Sequence, residues 1–209
     1  MMKPSIEQIR NSGAFRLVKE LKFSDILMFV FENIRVYNIC SIFYFLISIL
    51  FISVFAGITL FGFMQEMFTL RSYFSILGWG ILAGSILIIP FHEGFHAIAF
   101  LIIGARKIRF GADFKQMIFY ATAEQFVSGK NGFSIVALSP FVIINLICLL
   151  IGFSSGIEIK LFIIVLLLFH NIMCIGDFAM LGFFMRNRKK EMYTFDDISK
   201  KTAYFYEKI

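Results

Sequence analysis

Charge is scarce in this chain. Asp, Glu, Lys and Arg make up 16% of 209 residues, and stretches of more than twenty residues carry none. Cysteine is nearly as rare. Cys40, Cys148 and Cys174 lie in or beside apolar stretches, at spacings that fit neither a disulfide framework nor a zinc knuckle. Internal repeats and low-complexity linkers are missing, which leaves one domain with no appended soluble module. The first ~30 residues are charged and only patchily apolar, unlike a cleavable signal peptide. What the chain has in excess is apolar surface: 59% hydrophobic residues, 29 Phe and a mean hydropathy of +0.82. A soluble domain of this size has too little interior to hide that much. The composition therefore predicts a polytopic α-helical membrane protein.

Four long apolar stretches run over Ile39–Met64, Tyr73–Gly104, Phe133–Phe153 and Ile159–Met185. Each is near or above the ~20 residues that cross a hydrocarbon core. The net charge of +6 would suit nucleic acid, but its placement argues for topology instead. Six Lys/Arg precede Ile39, five lie between the second and third stretches, and seven follow Met185. The other two loops hold only Arg71 and Lys160. The positive-inside rule then puts both termini and the central loop in the cytoplasm of a multi-pass cell-membrane protein. The expected divisions are a cytoplasmic or interfacial segment 1–38, a four-helix transmembrane core 39–185, and a basic cytoplasmic tail 186–209. Within the first, Ile26–Phe31 reads either as an interfacial helix or as the start of a long first span.

The central loop, Gly104–Gly132, has structure of its own. Lys107–Gly111 alternates in polarity, Met117–Ala123 is rich in β-formers, and Ala112–Lys115 can turn between them. The expectation is a small cytoplasmic β-hairpin on an otherwise all-α membrane fold. A surface loop with incidental β propensity is the plainer alternative. A hairpin edge there could accept an extended peptide as an added strand.

Chemistry concentrates in the second stretch, where His92-Glu93-Gly94-Phe95-His96 reads HExxH. On a helix the two histidines stand one turn apart on one face, so both imidazoles can reach one metal ion. Glu93 beside them can take a proton from water. Ionisable groups are costly in lipid, so three in five positions need a reason. Packing between helices is the bland one; a zinc ion is the better one, because the chain has three histidines and spends two here. Pro90 predicts a kink, with a motif helix over Phe91–Ile103. Gly78, Gly80 and Gly84 would let a neighbouring helix approach closely.

Two histidines leave a catalytic zinc one protein ligand short. The fourth stretch offers His170, Asn171, Cys174 and Asp177. His96 and Asp177 each lie eight residues before the cytoplasmic end of their stretch, so they share a depth. His170 and Asp177, seven apart, share a helix face, and His170 sits two turns deeper, ~10 Å further from the cytoplasmic face. Asp177 is the expected third ligand, with His170 the alternative and Cys174 behind it. His170 and Asn171 could otherwise donate hydrogen bonds to a substrate carbonyl or oxyanion, or simply join helices. In the third stretch Pro140, after Ser139, should kink the helix and free a carbonyl near the site. Asn145 could bond substrate, though packing explains both residues more simply.

These residues resemble the site-2 protease class of intramembrane zinc metalloproteases. The chain is more closely similar to a family of small bacterial membrane proteins called putative zincin peptidases (DUF3267-like). The similarity rests on His92–His96, Ser139-Pro140 and the His170-Asn171…Gly176-Asp177 run. It implies His92, His96 and Asp177 as Zn2+ ligands, Glu93 as general base, and hydrolysis of peptide bonds within or beside the bilayer. Asp177 is followed by Phe178, where site-2 proteases carry Gly, and no regulatory module accompanies the core. The expected function is zinc-dependent intramembrane proteolysis, with a membrane protein or peptide as substrate and no nucleic acid. Its rivals are a non-catalytic protein with a structural or sensing metal site and, less well supported, a metal-ion transporter.

Overall fold

A computed structural model describes residues 4–209. Capped helices and two small antiparallel sheets make up the chain. A short helix α1 (Ile6–Asn11) starts at a capping box between Ser5 and Gln8. Strand β1 (Phe15–Lys22) follows, then a 3-10 turn and helix α2 (Ile26–Ile34). α2 is separate from the first long helix, because Asn38 caps α3 (Ile39–Met64) through the N–H groups of Cys40 and Ser41. α4 (Leu70–Leu82) runs into a π-helical turn at Ala83–Leu87 and on into α5 (Ile89–Ile102). The expected hairpin is present, as β2 (Ile108–Asp113) and β3 (Ile118–Ala123). The Asp113 carboxylate accepts from the backbone of Lys115 and Gln116 to form its turn, slightly later than expected. After the two-residue β4 (Ser128–Gly129) come α6 (Lys130–Phe153), α7 (Ile157–Met173), α8 (Ile175–Arg186), β5 (Met192–Asp197) and β6 (Thr202–Lys208).

Three helical paths are long and apolar enough to cross a membrane: α3, the α4–α5 path and α6. A fourth exists if α7 and α8, bent by 46° across Cys174, are counted as one broken span. Their surfaces invert the soluble pattern. Leu46, Ile49, Leu50 and Ile52 of α3 are all more than half exposed. The buried helix is α7, whose Leu161, Val165 and Leu167 form the middle of the helical core. Gly80 and Gly84 pack directly on it. A Cβ at Gly84 would stand 2.8 Å from the Leu166 carbonyl oxygen and from the Phe169 Cβ. Gly78 faces open space.

Two expectations need correction. The fold is not all-α apart from one hairpin. β1 from the N-terminal segment pairs with β6, and the strand order β1-β6-β5-β4 makes a four-stranded antiparallel sheet. Its inner face carries Leu21, Ala203 and Phe205 against Phe29 of α2 and Phe183 and Phe184 of α8. Its outer face carries Phe195 and Tyr204 against Ile9 of α1. Strands β4 and β5 are joined to α6 and α8, so the sheet lies over those helix ends and roofs the helical layer. The second correction concerns the break near Pro90. The path Leu70–Ile102 runs through as one helix, and its irregularity is the π turn upstream of Pro90, where the Ile88 N–H reaches back to Ala83. Pro90 takes an early position in α5, where no N–H is needed, and the motif helix begins at Ile89.

Candidate metal centre

α5 presents His92, Glu93 and His96 inward, all buried. Asp177, in the first turn of α8, meets them. His92 Nε2 lies 3.2 Å from His96 Nε2. Asp177 Oδ2 is 3.5 Å from His92 Nε2, and its Oδ1 is 3.3 Å from His96 Nε2. Zinc–ligand bonds of about 2.0–2.1 Å at tetrahedral angles put ligand atoms ~3.3 Å apart. The three side chains are therefore spaced as ligands of one small ion. Asp177 Oδ2 and Glu93 Oε2 are enclosed without a hydrogen-bond partner, two buried acceptors that a bound ion or its water would satisfy. The donor set, two imidazoles and a carboxylate, suits zinc.

The ring nitrogens turned away from this point are held. His96 Nδ1 is 2.9 Å from the Val136 carbonyl oxygen. That oxygen only accepts, so Nδ1 carries the proton and Nε2 keeps its lone pair for a metal. The carbonyl is free because Pro140, four residues on, has no N–H to give it. Ser139 Oγ, 2.8 Å from the same oxygen and 3.2 Å from that of Phe95, ties α6 to α5. A proline in the third span thus sets the tautomer of a histidine in the second. Pro140→Ala restores a competing N–H. Metal affinity should fall about tenfold while helix content by circular dichroism stays the same. Unchanged affinity would mean that the freed carbonyl does no positioning.

His92 Nδ1 lies 3.1 Å from His170 Nε2. The break at Cys174 places His170 behind His92, away from Asp177, and the straight-helix picture of one shared face does not hold. One imidazole cannot direct both nitrogens at one ion, so His170 is outside the His92–His96–Asp177 set. It belongs to a second possible set with His92 and Cys174, whose Sγ is 3.6 Å from His170 Nε2. Asn171 donates to Ser48 Oγ at 2.8 Å and joins α7 to α3. Neither His170 nor Asn171 lines the cavity in front of Glu93. Asn145 donates to the Phe141 carbonyl of its own helix.

That cavity, about 460 Å³, lies between the motif helix, β3, α2, α8 and the inner face of the four-stranded sheet. Glu93, His92, His96 and Asp177 open into it. Ala121 of β3 turns its backbone N–H towards the Glu93 carboxylate. The sheet side of this cavity was missed from sequence. Its signal is the β-rich alternation of Tyr193-Thr194-Phe195 and Tyr204-Phe205-Tyr206, set among lysines.

Residues 85–192, just over half the chain and including every side chain of the metal centre, match the profile of one protein family, described as putative zincin peptidase. No curated protein and no solved structure matches the chain.

Proposed function

We propose, on the premise that the chain belongs to the putative zincin peptidase family DUF3267, that it is an intramembrane zinc metalloprotease. Its substrates would be membrane-embedded or juxtamembrane peptide segments. The observation that carries this reading is the convergence of His92, His96 and Asp177 at 3.2–3.5 Å, with Glu93 beside them on an enclosed cavity. A zinc ion held by those three residues would lower the pKa of a water towards ~7 and polarise a peptide carbonyl. Glu93 takes a proton from the attacking water and passes it to the leaving amine, so that one carboxylate serves as base and then as acid. Val136 and His170 hold the two imidazoles in orientation. β3 offers a strand edge along the cavity for an unwound substrate. The distribution of Lys and Arg supports a cell-membrane location with both termini cytoplasmic.

The rival of a closed structural or sensing site requires a fourth protein ligand, and His170 would be that ligand. Its position against the far nitrogen of His92 weighs against it. A transporter would need carboxylates along a path through the helical layer, whereas Glu93 and Asp177 stand together and Asp196 lies on the sheet side of the same cavity.

Metal removal tests the reading. Protein in detergent should carry about one zinc per chain and cleave single-span reporter peptides. Dialysis against a strong chelator should bring cleavage to background, and stoichiometric zinc should restore it. Cleavage indifferent to chelation, or a chain that takes up no zinc on supplementation, would sink the proposal.

A further inference from the structure

Two adjacent aspartates on β5 meet different fates. Asp197 is fully engaged on the outer side: its carboxylate accepts from Ser199 Oγ and the Lys200 N–H and faces Arg10. Asp196 points the other way. It shares the inner face of the sheet with Thr194 and lies across from Ala203, and it lines the same cavity as Glu93. Among the described residues no side chain or backbone group hydrogen-bonds its carboxylate, and none forms an ion pair with it. Asp196 is half-buried, and the loss of water around it pushes its carboxyl up to about 7, with no cation near enough to offset it. The cavity wall is mostly apolar, with Leu21, Phe23, Ala203 and Phe205, and it also carries Thr122, Ser128 and Thr194.

A carboxylate left without a partner in a mostly apolar cavity is costly, and the cost is relieved when a bound cation supplies charge-assisted hydrogen bonds. We propose that Asp196 is a specificity-determining residue, receiving a lysine or arginine side chain of the substrate while the neighbouring peptide lies at Glu93. The proposal rests on the peptidase reading above. Three observations favour a cationic side chain from a membrane segment. The cavity is continuous from Asp196 to Glu93, so one chain can fill both ends. Its volume of about 460 Å³ is within the range of sites that enclose a ligand. The sheet adjoins the ends of two long apolar helical paths, with β4 running directly into α6 and β5 following α8. On the cytoplasmic side, such ends are where membrane proteins concentrate Lys and Arg.

Binding can be read without turnover. The full chain carrying Glu93→Gln is placed in lipid nanodiscs and titrated with a fluorescent single-span peptide bearing Lys in its cytoplasmic flank, and with the same peptide bearing Gln there. The Lys peptide should bind about tenfold more tightly. Asp196→Asn, nearly isosteric, should bring the two peptides within about twofold, and Asp196→Glu should keep the preference. Asp196→Lys should reverse it in favour of a Glu-flanked peptide. Equal binding of Lys and Gln peptides, binding of neither, or a preference that survives Asp196→Asn overturns the assignment. Cleavage by the chain with Glu93 intact is scored separately, so a failed peptidase reading and a failed role for Asp196 give different results.

Discussion

Asp177→Ala purifies with less than about a tenth of the wild-type zinc, whereas His170→Ala retains most of it and binds it ~10–100-fold more weakly. The two residues differ because they meet opposite nitrogens of the same ring. Asp177 stands 3.5 Å from His92 Nε2, on the side where His96 Nε2 also converges. His170 stands 3.1 Å from Nδ1 and can only orient the ring. Removing Asp177 would take away one of three proposed ligands, and the only carboxylate among them. Removing His170 leaves the set intact but lets the His92 ring turn. Zinc content by mass spectrometry, with chelator competition for affinity, separates the two. If His170→Ala lost its zinc and Asp177→Ala kept it, the metal would belong to the His92–His170–Cys174 set, and the assignment of ligands would be inverted.

Glu93→Gln keeps its zinc and loses ~10²–10⁴-fold in kcat on a single-span reporter peptide, with KM little changed. The amide matches the carboxylate in shape, so packing beside Ala121 survives. It cannot accept a proton from water or return one to the amine. An effect on kcat alone identifies a group that works in the reaction and not in binding. Cleavage by Glu93→Gln within about threefold of wild type would remove Glu93 from the mechanism.

The parts of this arrangement that were legible in the sequence are those set by local spacing. The i, i+4 histidines on a helix, the hairpin between Lys107 and Ala123, and the carbonyl released by Pro140 all follow from rules spanning a few residues. The depth argument did bring Asp177 beside His92 and His96, because it compared distances to helix ends and did not require the helix to be straight. The same spacing misplaced His170, since nothing in Met173-Cys174-Ile175 announces a 46° bend. The four-stranded sheet was hidden for a different reason. Arg16 of β1 pairs with Glu207 of β6 across 191 residues. Alternation that reads as a basic tail becomes a sheet only when its distant partner is known. Asp196 was overlooked with it, as one charge among many.

The pairing of β1 with β6 also sets an order of assembly. Helices that close local contacts form early, while a strand pair this distant waits for both partners. The helices that carry His92, His96 and Asp177 can form before residue 208 has left the ribosome, but the sheet that carries Asp196, Ala203 and Phe205 cannot. A nascent chain therefore holds its histidines and carboxylates beneath an unfinished cavity. The sheet wall of the cavity is completed last, after the helices that carry His92, His96 and Asp177.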